Sequence, residues 1–288
     1  MRAVCFIGKF QLLLIYYNYA NPISKSRTSQ TRKTLPATVF ENTTSVFRQI
    51  KSMKIITWNC NMAFRKKAQF ILTEEPDILI VPECENQEKL SFGLFTKQPT
   101  DIFWHGDNPD KGIGVFSFSD FKIKLLDIHN SEFKYVLPLL VYNDKIKLTI
   151  FAIWSQKPES HDNYTIQVWN AVHFYSDMLD NENIILVGDF NSNAIWDKPR
   201  RVTNHSNLVD FLKAKNILST YHHFHKQVQG QEKDSTLFMH RKIDRPYHID
   251  YCFASSNLID KIINVQVGNY ETWTKYSDHI PLAVTLDI

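Results

Sequence analysis

The sequence predicts an α/β fold, a four-layered α/β sandwich in which two packed mixed sheets are covered by helices. Apolar runs of strand length alternate with segments of helical periodicity from residue 53 to the end of the chain. Some of these runs follow one another closely, as in hairpins, and others are separated by a helical segment, as in strand–helix–strand units. The composition, 43% hydrophobic and 22% charged residues, is that of a globular chain with a sizeable core.

The elements follow in a regular order along the chain. The pattern predicts strands at 54–59, 76–83, 112–118, 122–128, 134–142, 147–154, 184–188, 248–255 and 280–288. It predicts helices at 65–75, 163–180 and 206–216. Apolar residues recur at helical spacing from Ile166 to Phe174 in the second helix, and Ser206 is expected to cap the third.

The first 52 residues differ in composition from the rest. Their early apolar run is far shorter than the roughly twenty residues that span a bilayer, so no membrane span is predicted. The following stretch is rich in Ser, Thr, Lys and Arg, which is typical of a disordered linker. An uncleaved anchor, a targeting segment and a start codon assigned too far upstream all remain open. Met53 opens a well-formed strand and favours the last, so we expect an extension at 1–52 and a folded domain at 53–288.

Charge and cysteine content narrow the class of protein. The net charge of +3 permits binding of a phosphate-bearing ligand but does not by itself indicate a nucleic-acid protein. The four cysteines, Cys5, Cys60, Cys84 and Cys252, form no CxxC pair, so neither a zinc motif nor a disulfide framework is indicated. A reduced, cytoplasmic protein is expected, and nothing in the sequence points to an obligate protein partner.

Acidic and amide residues stand where the predicted strands end. In IILVGDFNSN a buried strand runs into Asp189 and Asn191, which share one face if the strand continues. A carboxylate at the end of an apolar strand costs free energy unless it is paired, although a plain turn is the alternative reading. Other strand ends carry Asn59, Asn61, Glu83, Asp250, Asp278 and His279. Together these oxygen-rich side chains suit a hard cation such as Mg²⁺, whereas one histidine is too few for a typical zinc site.

The segments TWNCN, PDILIVPE, GDFNSN, HIDY and SDH resemble, in order and approximate spacing, those of the endonuclease/exonuclease/phosphatase superfamily of metal-dependent phosphoesterases. The resemblance covers residues 53–288. It implies that Mg²⁺, with Mn²⁺ as an alternative ion, is held by Glu83, Asn61 and Asp278. At Asn61 relatives often carry aspartate, so a carboxylate is lost there.

The resemblance also implies catalytic roles. Asp189 matches the residue that positions and deprotonates the attacking water, and Asn59 and Asn191 match hydrogen-bond donors to the phosphate. His279 is similar to a histidine held by a carboxylate, here Asp250. A carboxylate behind an imidazole favours its cationic form, which could stabilise a charged transition state.

Two positions depart from the family pattern. Pro82 replaces the glutamine that usually precedes the metal-binding glutamate, and Trp154 stands where relatives commonly carry His or Tyr facing the phosphate. An indole N–H can donate one hydrogen bond but cannot exchange a proton at neutral pH. Cys60 lies between the two asparagines, and strand alternation predicts that it points into the core.

Basic residues flank the motifs. Arg200, Arg201 and His205 follow GDFN, and Arg245 precedes Asp250; with Trp154, these are the candidate substrate contacts, and a solvated charged loop is the alternative. The histidines of YHHFH, residues 221–225, are expected to pack rather than bind metal.

The sequence therefore predicts a Mg²⁺-dependent phosphodiester hydrolase that attacks phosphorus in line with an activated water. A nuclease acting on DNA or RNA, by endonucleolytic or exonucleolytic cleavage, is the first hypothesis. A phosphatase or phosphodiesterase of a small substrate, such as a phosphoinositide or nucleotide, is the alternative. A binding module that retains the fold without turnover is the third.

Overall fold

The computed structural model describes residues 52–90, 95, 97–157 and 163–288. Residues 1–51 of the expected N-terminal extension lie outside the described residues. Within the described ranges the strands form two six-stranded sheets and a two-stranded hairpin. No helix in this part of the chain is long and apolar enough to cross a bilayer.

Strands from both ends of the domain form the first sheet. Numbered in chain order and given in spatial order, they are β13 (Ile262–Val267), β14 (Leu282–Asp287), β1 (Ser52–Thr57), β2 (Ile78–Cys84), β4 (Lys111–Ser117) and β3 (Asp101–Asn108). β1 and β2 pair in parallel, and the other neighbours pair antiparallel. The sheet is mixed, as the sequence predicted.

The second sheet is also mixed. In spatial order its strands are β5 (Lys122–Leu125), β6 (Val136–Tyr142), β7 (Lys147–Trp154), β8 (Ile184–Asp189), β12 (Asp250–Ser255) and β9 (Ile217–Ser219). β7 and β8 are parallel and joined through a helix, whereas β8 and β12 are antiparallel. A separate hairpin is formed by β10 (Leu237–Phe238) and β11 (Pro246–Tyr247).

The helices of the described residues are α1 (Ala68–Ile71), α2 (Thr165–Phe174), α3 (His205–Ala214), α4 (Thr220–His225), α5 (Ser256–Ile259) and α6 (Tyr270–Trp273). α1 and α6 pack on the outer face of the first sheet and α2 and α3 on that of the second, whereas Tyr221 of α4 and Leu258 of α5 pack between the sheets. The helix predicted over 65–75 is shorter than expected, because two 3₁₀ turns flank the four residues of α1. The histidine segment YHHFH, predicted to follow a helix, lies within α4 itself.

The start of α3 corrects the predicted cap. The helix begins at His205 with Asn204 at the N-cap position, so Ser206 lies inside the first turn. The carboxylate of Asp197 accepts hydrogen bonds from the backbone N–H groups of His205 (2.8 Å) and Ser206 (3.0 Å). A side chain from the preceding loop thus satisfies the free N–H groups that a serine cap would have served.

The two sheets pack face to face through one apolar cluster. Ile55 and Ile80 of the first sheet and Ile150 and Val187 of the second all belong to it, and each is at most 1% exposed. Burial of these aliphatic side chains away from water is the main favourable contribution to joining the sheets.

The outer faces of both sheets are buried as well. Leu79, the neighbour of Ile80, packs in a cluster with α1, and Leu186, the neighbour of Val187, packs in a cluster with α2 and α3. Successive strand residues point to opposite faces, so both faces of these strands are apolar. The four layers explain why the central strands read as continuous apolar runs, and they confirm the predicted sandwich.

Candidate active site

The predicted strand-end residues meet at one end of the sandwich. Asn59 and Asn61 follow β1, Glu83 lies in β2, and His279 precedes β14, all from the first sheet. The second sheet supplies Asp189 at the end of β8 and Asp250 at the start of β12. Asp189 and Asp250 are direct partners in the antiparallel register, which fixes the two carboxylates side by side.

The carboxylate of Asp189 lies at the centre of this group and is 1% exposed. Its Oδ2 accepts hydrogen bonds from Nδ2 of Asn59 (3.0 Å) and Nδ2 of Asn191 (3.1 Å). Its Oδ1 accepts the backbone N–H of Asn191 at 2.9 Å. Burial, helped by the nearby charge of Asp250, raises the pKa of Asp189 to about 7 against the opposing effects of His279 and these hydrogen bonds.

His279 connects the two aspartates. Its Nδ1 donates to Oδ2 of Asp250 at 2.9 Å, and its Nε2 lies 3.9 Å from Oδ2 of Asp189. Burial alone would lower the pKa of His279, but the charges of Asp250 and Asp189 and the hydrogen bond to Asp250 raise that pKa to about 10. The imidazole is therefore a cation at neutral pH.

The backbone around His279 is held in place by its neighbours. Ser277 Oγ accepts the N–H of His279 at 3.0 Å and donates to the carbonyl of Asn59 at 2.8 Å. Trp58 Nε1 donates to the carbonyl of His279 at 3.0 Å. Thr236 Oγ1 accepts the N–H of Asp250 at 2.9 Å. These contacts link both sheets to the hairpin segment, so the imidazole has little freedom to turn.

A second group of oxygen donors lies beside the first. Asn61 Nδ2 donates to Oδ1 of Asp278 at 2.9 Å, and Glu83 Oε1 lies 3.4 Å from Nδ2 of Asn59. Glu83, Asn61 and Asp278 are all partly exposed, and two carboxylates with one amide form a set that fits a hard cation with several waters. The donor chemistry of these residues therefore agrees with the Mg²⁺ that the sequence predicted.

Another group of potential ligands has a different character. Among the described residues, Asp189, Asp250 and His279 bring their ligand atoms within 4.8 Å of one another. Both ring nitrogens of His279 already face carboxylates. The three side chains are buried and contact one another, so they are less open to a cation than Glu83, Asn61 and Asp278.

The backbone is strained where it presents these side chains. Asn61, Met62, Ala63, Glu83 and Asn191 all have φ between 49° and 62°, a region that residues other than glycine seldom adopt. Lys67 Nζ donates to the carbonyls of Cys60 (2.6 Å) and Asn61 (3.2 Å), which anchors this turn. Clustering of such conformations is typical of functional sites.

Cys60, which lies within that turn, is fully buried, as predicted. Its Sγ donates to the carbonyl of Glu83, and burial raises the pKa of the thiol far above its usual value. A thiol in that state is a poor nucleophile, since only the thiolate attacks.

The structure separates the predicted substrate contacts. Arg200 and Arg245 lie on exposed turns, and Arg201 lines a pocket beside Asn191. Trp154 is 4% exposed, with the ring of Tyr135 at 4.8 Å and Lys111 Nζ over its own ring at 5.1 Å. Its indole can therefore offer a substrate no more than an edge.

His205 is a correction. The side chain is 1% exposed, with Nδ1 2.9 Å from Ser192 Oγ and Nε2 3.2 Å from Gln229 Oε1, and its ring lies against Tyr251. Burial lowers the pKa of His205 to about 4, so the ring is neutral. It supports the loop from beneath and cannot contact a substrate.

The pocket beside Asn191 has a volume of about 430 Å³. Three segments form its walls: the start of α2, the loop after β8, and the residues that flank the hairpin and β12. Its lining residues are Asn163, Tyr164, Thr165, Asn191, Ser192, Asn193, Trp196, Asp197, Lys198, Arg201, Leu237, Met239 and Ile249. The sequence analysis did not identify most of these residues as pocket residues. The apolar and basic residues next to GDFN and HIDY could have indicated a binding site there.

Lys111 is a second residue that the sequence did not reveal. It opens β4, and the pairing of β4 with β2 brings its ammonium 3.4 Å from Oε2 of Glu83.

The histidines of α4 take structural roles, as expected: His222 Nδ1 contacts Ser219 Oγ, its Nε2 contacts Glu232, and His225 contacts the carbonyl of Val265.

Comparisons with known proteins agree with this geometry. The sequence model of the Endonuclease/Exonuclease/phosphatase family matches residues 56–279. No curated protein matches the chain.

Solved structures share the fold. An AP endonuclease from Archaeoglobus fulgidus is 17% identical, with 82% of this chain and 100% of that chain covered at a TM-score of 0.61. A 3′ phosphatase from Neisseria, bound to a product DNA hairpin, has 17% identity, the same coverage and a TM-score of 0.62. An AP endonuclease from Leishmania major has 14% identity, with 82% and 88% covered and a TM-score of 0.62.

Proposed function

Since this chain belongs to the endonuclease/exonuclease/phosphatase family of phosphoester-hydrolysing enzymes, we propose that it is a Mg²⁺-dependent phosphodiesterase that cleaves nucleic acid. One observation carries the proposal. The Asp189 carboxylate, with a pKa of about 7, lies 3.9 Å from Nε2 of a cationic His279. A base that titrates near neutral pH beside a fixed positive charge suits the attack of water on an anionic ester.

In this mechanism Asp189 orients the attacking water and accepts its proton. Two asparagine amides, from Asn59 and Asn191, hold the carboxylate and keep it from turning. The water oxygen then forms a bond to phosphorus as the bond to the opposite ester oxygen breaks. That oxygen leaves with the bonding electron pair and takes a proton from solvent. Alignment of this kind removes much of the entropic part of the barrier.

His279 stabilises the negative charge that develops on the phosphoryl group. Asp250 keeps the imidazole protonated and fixes its orientation through the Nδ1 hydrogen bond of 2.9 Å. Because the groups are buried, their electrostatic effect is larger than it would be in water.

Glu83, Asn61 and Asp278 are the residues that we propose to hold the metal ion. A Mg²⁺ held by these residues would supply positive charge to neutralise the phosphoryl group during the reaction. Family membership supports metal dependence, and the oxygen-only donor set favours Mg²⁺ over Zn²⁺.

The positive charge around the site supports nucleic acid as the substrate. Lys198, Arg200 and Arg201 lie on the loop that follows Asp189, and Arg245 lies in the turn of the hairpin. Contacts of this kind favour a substrate with several phosphates over a small ester.

The test uses the full chain and its Asp189→Asn variant. Each is incubated with MgCl₂ or with EDTA against single- and double-stranded DNA, DNA with an abasic residue, RNA, and small phosphomonoesters and diesters. We expect magnesium-dependent cleavage of a nucleic acid by the wild type that falls at least about 10²-fold in the variant. Asp110→Asn, an exposed aspartate paired with Lys89, serves as the matched control and should keep full activity.

The other outcomes decide between the hypotheses. Hydrolysis of small esters alone would replace the nuclease with a small-substrate phosphatase or phosphodiesterase. Cleavage that persists in Asp189→Asn would contradict the assigned base. A folded protein that binds Mg²⁺ but hydrolyses nothing in the panel would favour a binding module.

We further propose that residues 53–288 form the catalytic domain and that the protein works in the cytoplasm. Three of its cysteines, Cys60, Cys84 and Cys252, are buried free thiols, which supports a reducing compartment.

A further inference from the structure

We infer that the pocket beside Asn191 holds an intact nucleoside, base included, next to the phosphodiester that is cleaved. The inference rests on the proposed function and deepens it, because it defines the substrate as a strand whose nucleotide at this position is unpaired and carries its base.

The pocket adjoins the catalytic side chains through its own walls. Ile249 immediately precedes Asp250, and the backbone of Leu237 pairs with that of His279. Asn191 lines the pocket and donates to Asp189. A group that fills the pocket therefore lies next to Asp189 and His279.

The inner walls are mostly apolar. Leu237, Met239 and Ile249 supply aliphatic and thioether surface, and Trp196 supplies an aromatic ring that is 40% exposed. The Trp196 ring lies 5.0 Å from that of Tyr247 at an angle of 44°, so its orientation is supported from one side. Such surfaces suit the faces of a planar base.

Two positively charged side chains line the same pocket. Lys198 and Arg201 line it together with Trp196. The carboxylate of Asp197 also lines the pocket, but both its oxygens accept backbone N–H groups at the start of α3. An apolar cavity with two positive side chains matches a ligand that is planar and apolar at one end and anionic at the other. A nucleoside attached to its next phosphate has this distribution.

The size also favours a whole nucleoside. A volume of about 430 Å³ lies within the roughly 300–1,000 Å³ of sites for drug-sized ligands. A sugar without its base would leave much of that space and the apolar walls uncovered. A base in this pocket cannot pair with a complementary strand, so single-stranded substrate avoids the free-energy cost of unpairing.

Hydrogen bonds hold the walls in shape without a ligand. Asn193 Nδ2 donates to the carbonyl of His248 at 2.8 Å, and Asn163 Nδ2 donates to Thr203 Oγ1 at 2.7 Å. Asn204 exchanges two hydrogen bonds with the backbone of Lys198. A pocket fixed in this way loses little conformational entropy when it binds its ligand.

The first test measures binding and does not depend on turnover. Adenosine 5′-monophosphate and ribose 5-phosphate are titrated into the full chain in EDTA by calorimetry. We expect the nucleotide to bind at least about tenfold more tightly than the sugar phosphate, because only the nucleotide can place a base against Trp196. Met239→Trp, which fills the cavity, and Trp196→Ala, which removes the aromatic wall, should each reduce this preference.

Ile263→Trp places the same bulky ring on β13, outside the pocket, and should leave the preference unchanged. Melting temperatures identify any variant that fails to fold, in which case the other pocket variant decides. Equal binding of the two ligands, or a preference that both folded pocket variants retain, would overturn the inference.

The second test compares cleavage of a single-stranded oligonucleotide with that of the same strand carrying one abasic residue. We expect cleavage beside the abasic residue to be at least about tenfold less efficient in kcat/KM. Equal or preferred cleavage there would contradict the inference while leaving the nuclease intact. If the wild type cleaves neither strand, the proposed function fails, and the calorimetric comparison still decides whether the pocket binds a nucleoside.

Discussion

The ammonium of Lys111 lies 3.4 Å from Oε2 of Glu83, the carboxylate that we propose as the principal metal ligand. It also lies over the ring of Trp154, at 5.1 Å from the centroid. A positive charge of the protein therefore lies beside the carboxylate that we propose as a metal ligand, so the ammonium and a divalent cation would compete for it.

Replacement of Lys111 by Met should tighten Mg²⁺ binding. The pair is partly open to solvent, with side chains 37% and 19% exposed, so its loss is worth about a two- to fivefold fall in the dissociation constant. Calorimetric titration of the substrate-free protein measures the constant. Lys89→Met removes the same charge from the exposed Lys89–Asp110 pair and should leave it unchanged. Weaker Mg²⁺ binding in Lys111→Met would mean that the ammonium supports the metal site.

Replacement of Asp250 by Asn should lower the pKa of His279. Burial already favours the neutral ring, and the Asp250 charge is the largest effect that opposes it. We expect the pKa to fall by about 1–3 pH units in the metal-free protein, as followed by NMR of the imidazole. Hydrolysis at pH 8 should fall by up to about tenfold, because a ring whose pKa has dropped towards 7 is only about one-tenth protonated at that pH.

The exposed Asp244 provides a control for that experiment, since Asp244→Asn removes one carboxylate without touching the imidazole. An unchanged His279 pKa in Asp250→Asn would show that the remaining carboxylates, Asp189 and Asp278, keep the ring charged.

His205 should make the fold sensitive to acid. Burial depresses its pKa to about 4 in the folded protein, whereas an unfolded histidine titrates near 6.5. Between these values the unfolded chain binds the proton more readily. The contribution of the neutral, buried His205 ring to the free energy of unfolding is therefore fully present above about pH 6.5. It is lost as the pH falls towards 4. At about 1.4 kcal/mol per pH unit, the loss amounts to roughly 3 kcal/mol.

Urea unfolding at pH 7.5, 6 and 5 measures this loss, and His205→Gln should show a smaller one. The difference from the wild type isolates His205 from His248, whose pKa burial also lowers. His240→Gln changes an exposed histidine and should follow the wild type. Parallel curves for His205→Gln and the wild type would contradict the assignment.

Gly188 should not tolerate a side chain. A Cβ there would lie 1.9 Å from the carbonyl oxygen of Ile153 on the neighbouring strand β7, and its φ of +145° already disfavours other residues. We expect Gly188→Ala to cost more than about 4 kcal/mol of unfolding free energy, or to prevent folding. In Gly230→Ala the nearest atoms lie 3.4 Å away at a φ of +80°, so only a cost of about 1 kcal/mol is expected. Similar melting temperatures for the two variants would contradict the clash.

Most strands inside the sheets were predictable, and three of the four edge strands, β3, β9 and β13, were not. β2 and β8 are buried on both faces, so their sequences are continuous apolar runs. β3 and β13 lie at opposite edges of the first sheet and are half exposed over most of their length. Their apolar pattern is correspondingly weak, because one side of an edge strand faces solvent.

The candidate site divides in a similar way. Carboxylates and amides at strand ends could be found because their chemistry is out of place beside an apolar core. Lys111 could not, since only the pairing of β2 with β4 brings it to Glu83. The burial of His205 likewise depends on Ser192, Gln229 and Tyr251, which are distant from it in the sequence or turned towards it only by the fold.

The hydrogen bonds from Asn59 to Asp189 and from His279 to Asp250 each cross from one sheet to the other. Neither sheet by itself contains a complete set of reacting groups. The rate of hydrolysis therefore depends on how the two sheets are aligned. Consider a substitution in the shared apolar cluster that lets the sheets shift by a fraction of a side-chain length. It would abolish activity, while the circular dichroism spectrum stayed the same. Such a substitution would be mistaken for the loss of a catalytic residue unless the packing of the two sheets were measured as well.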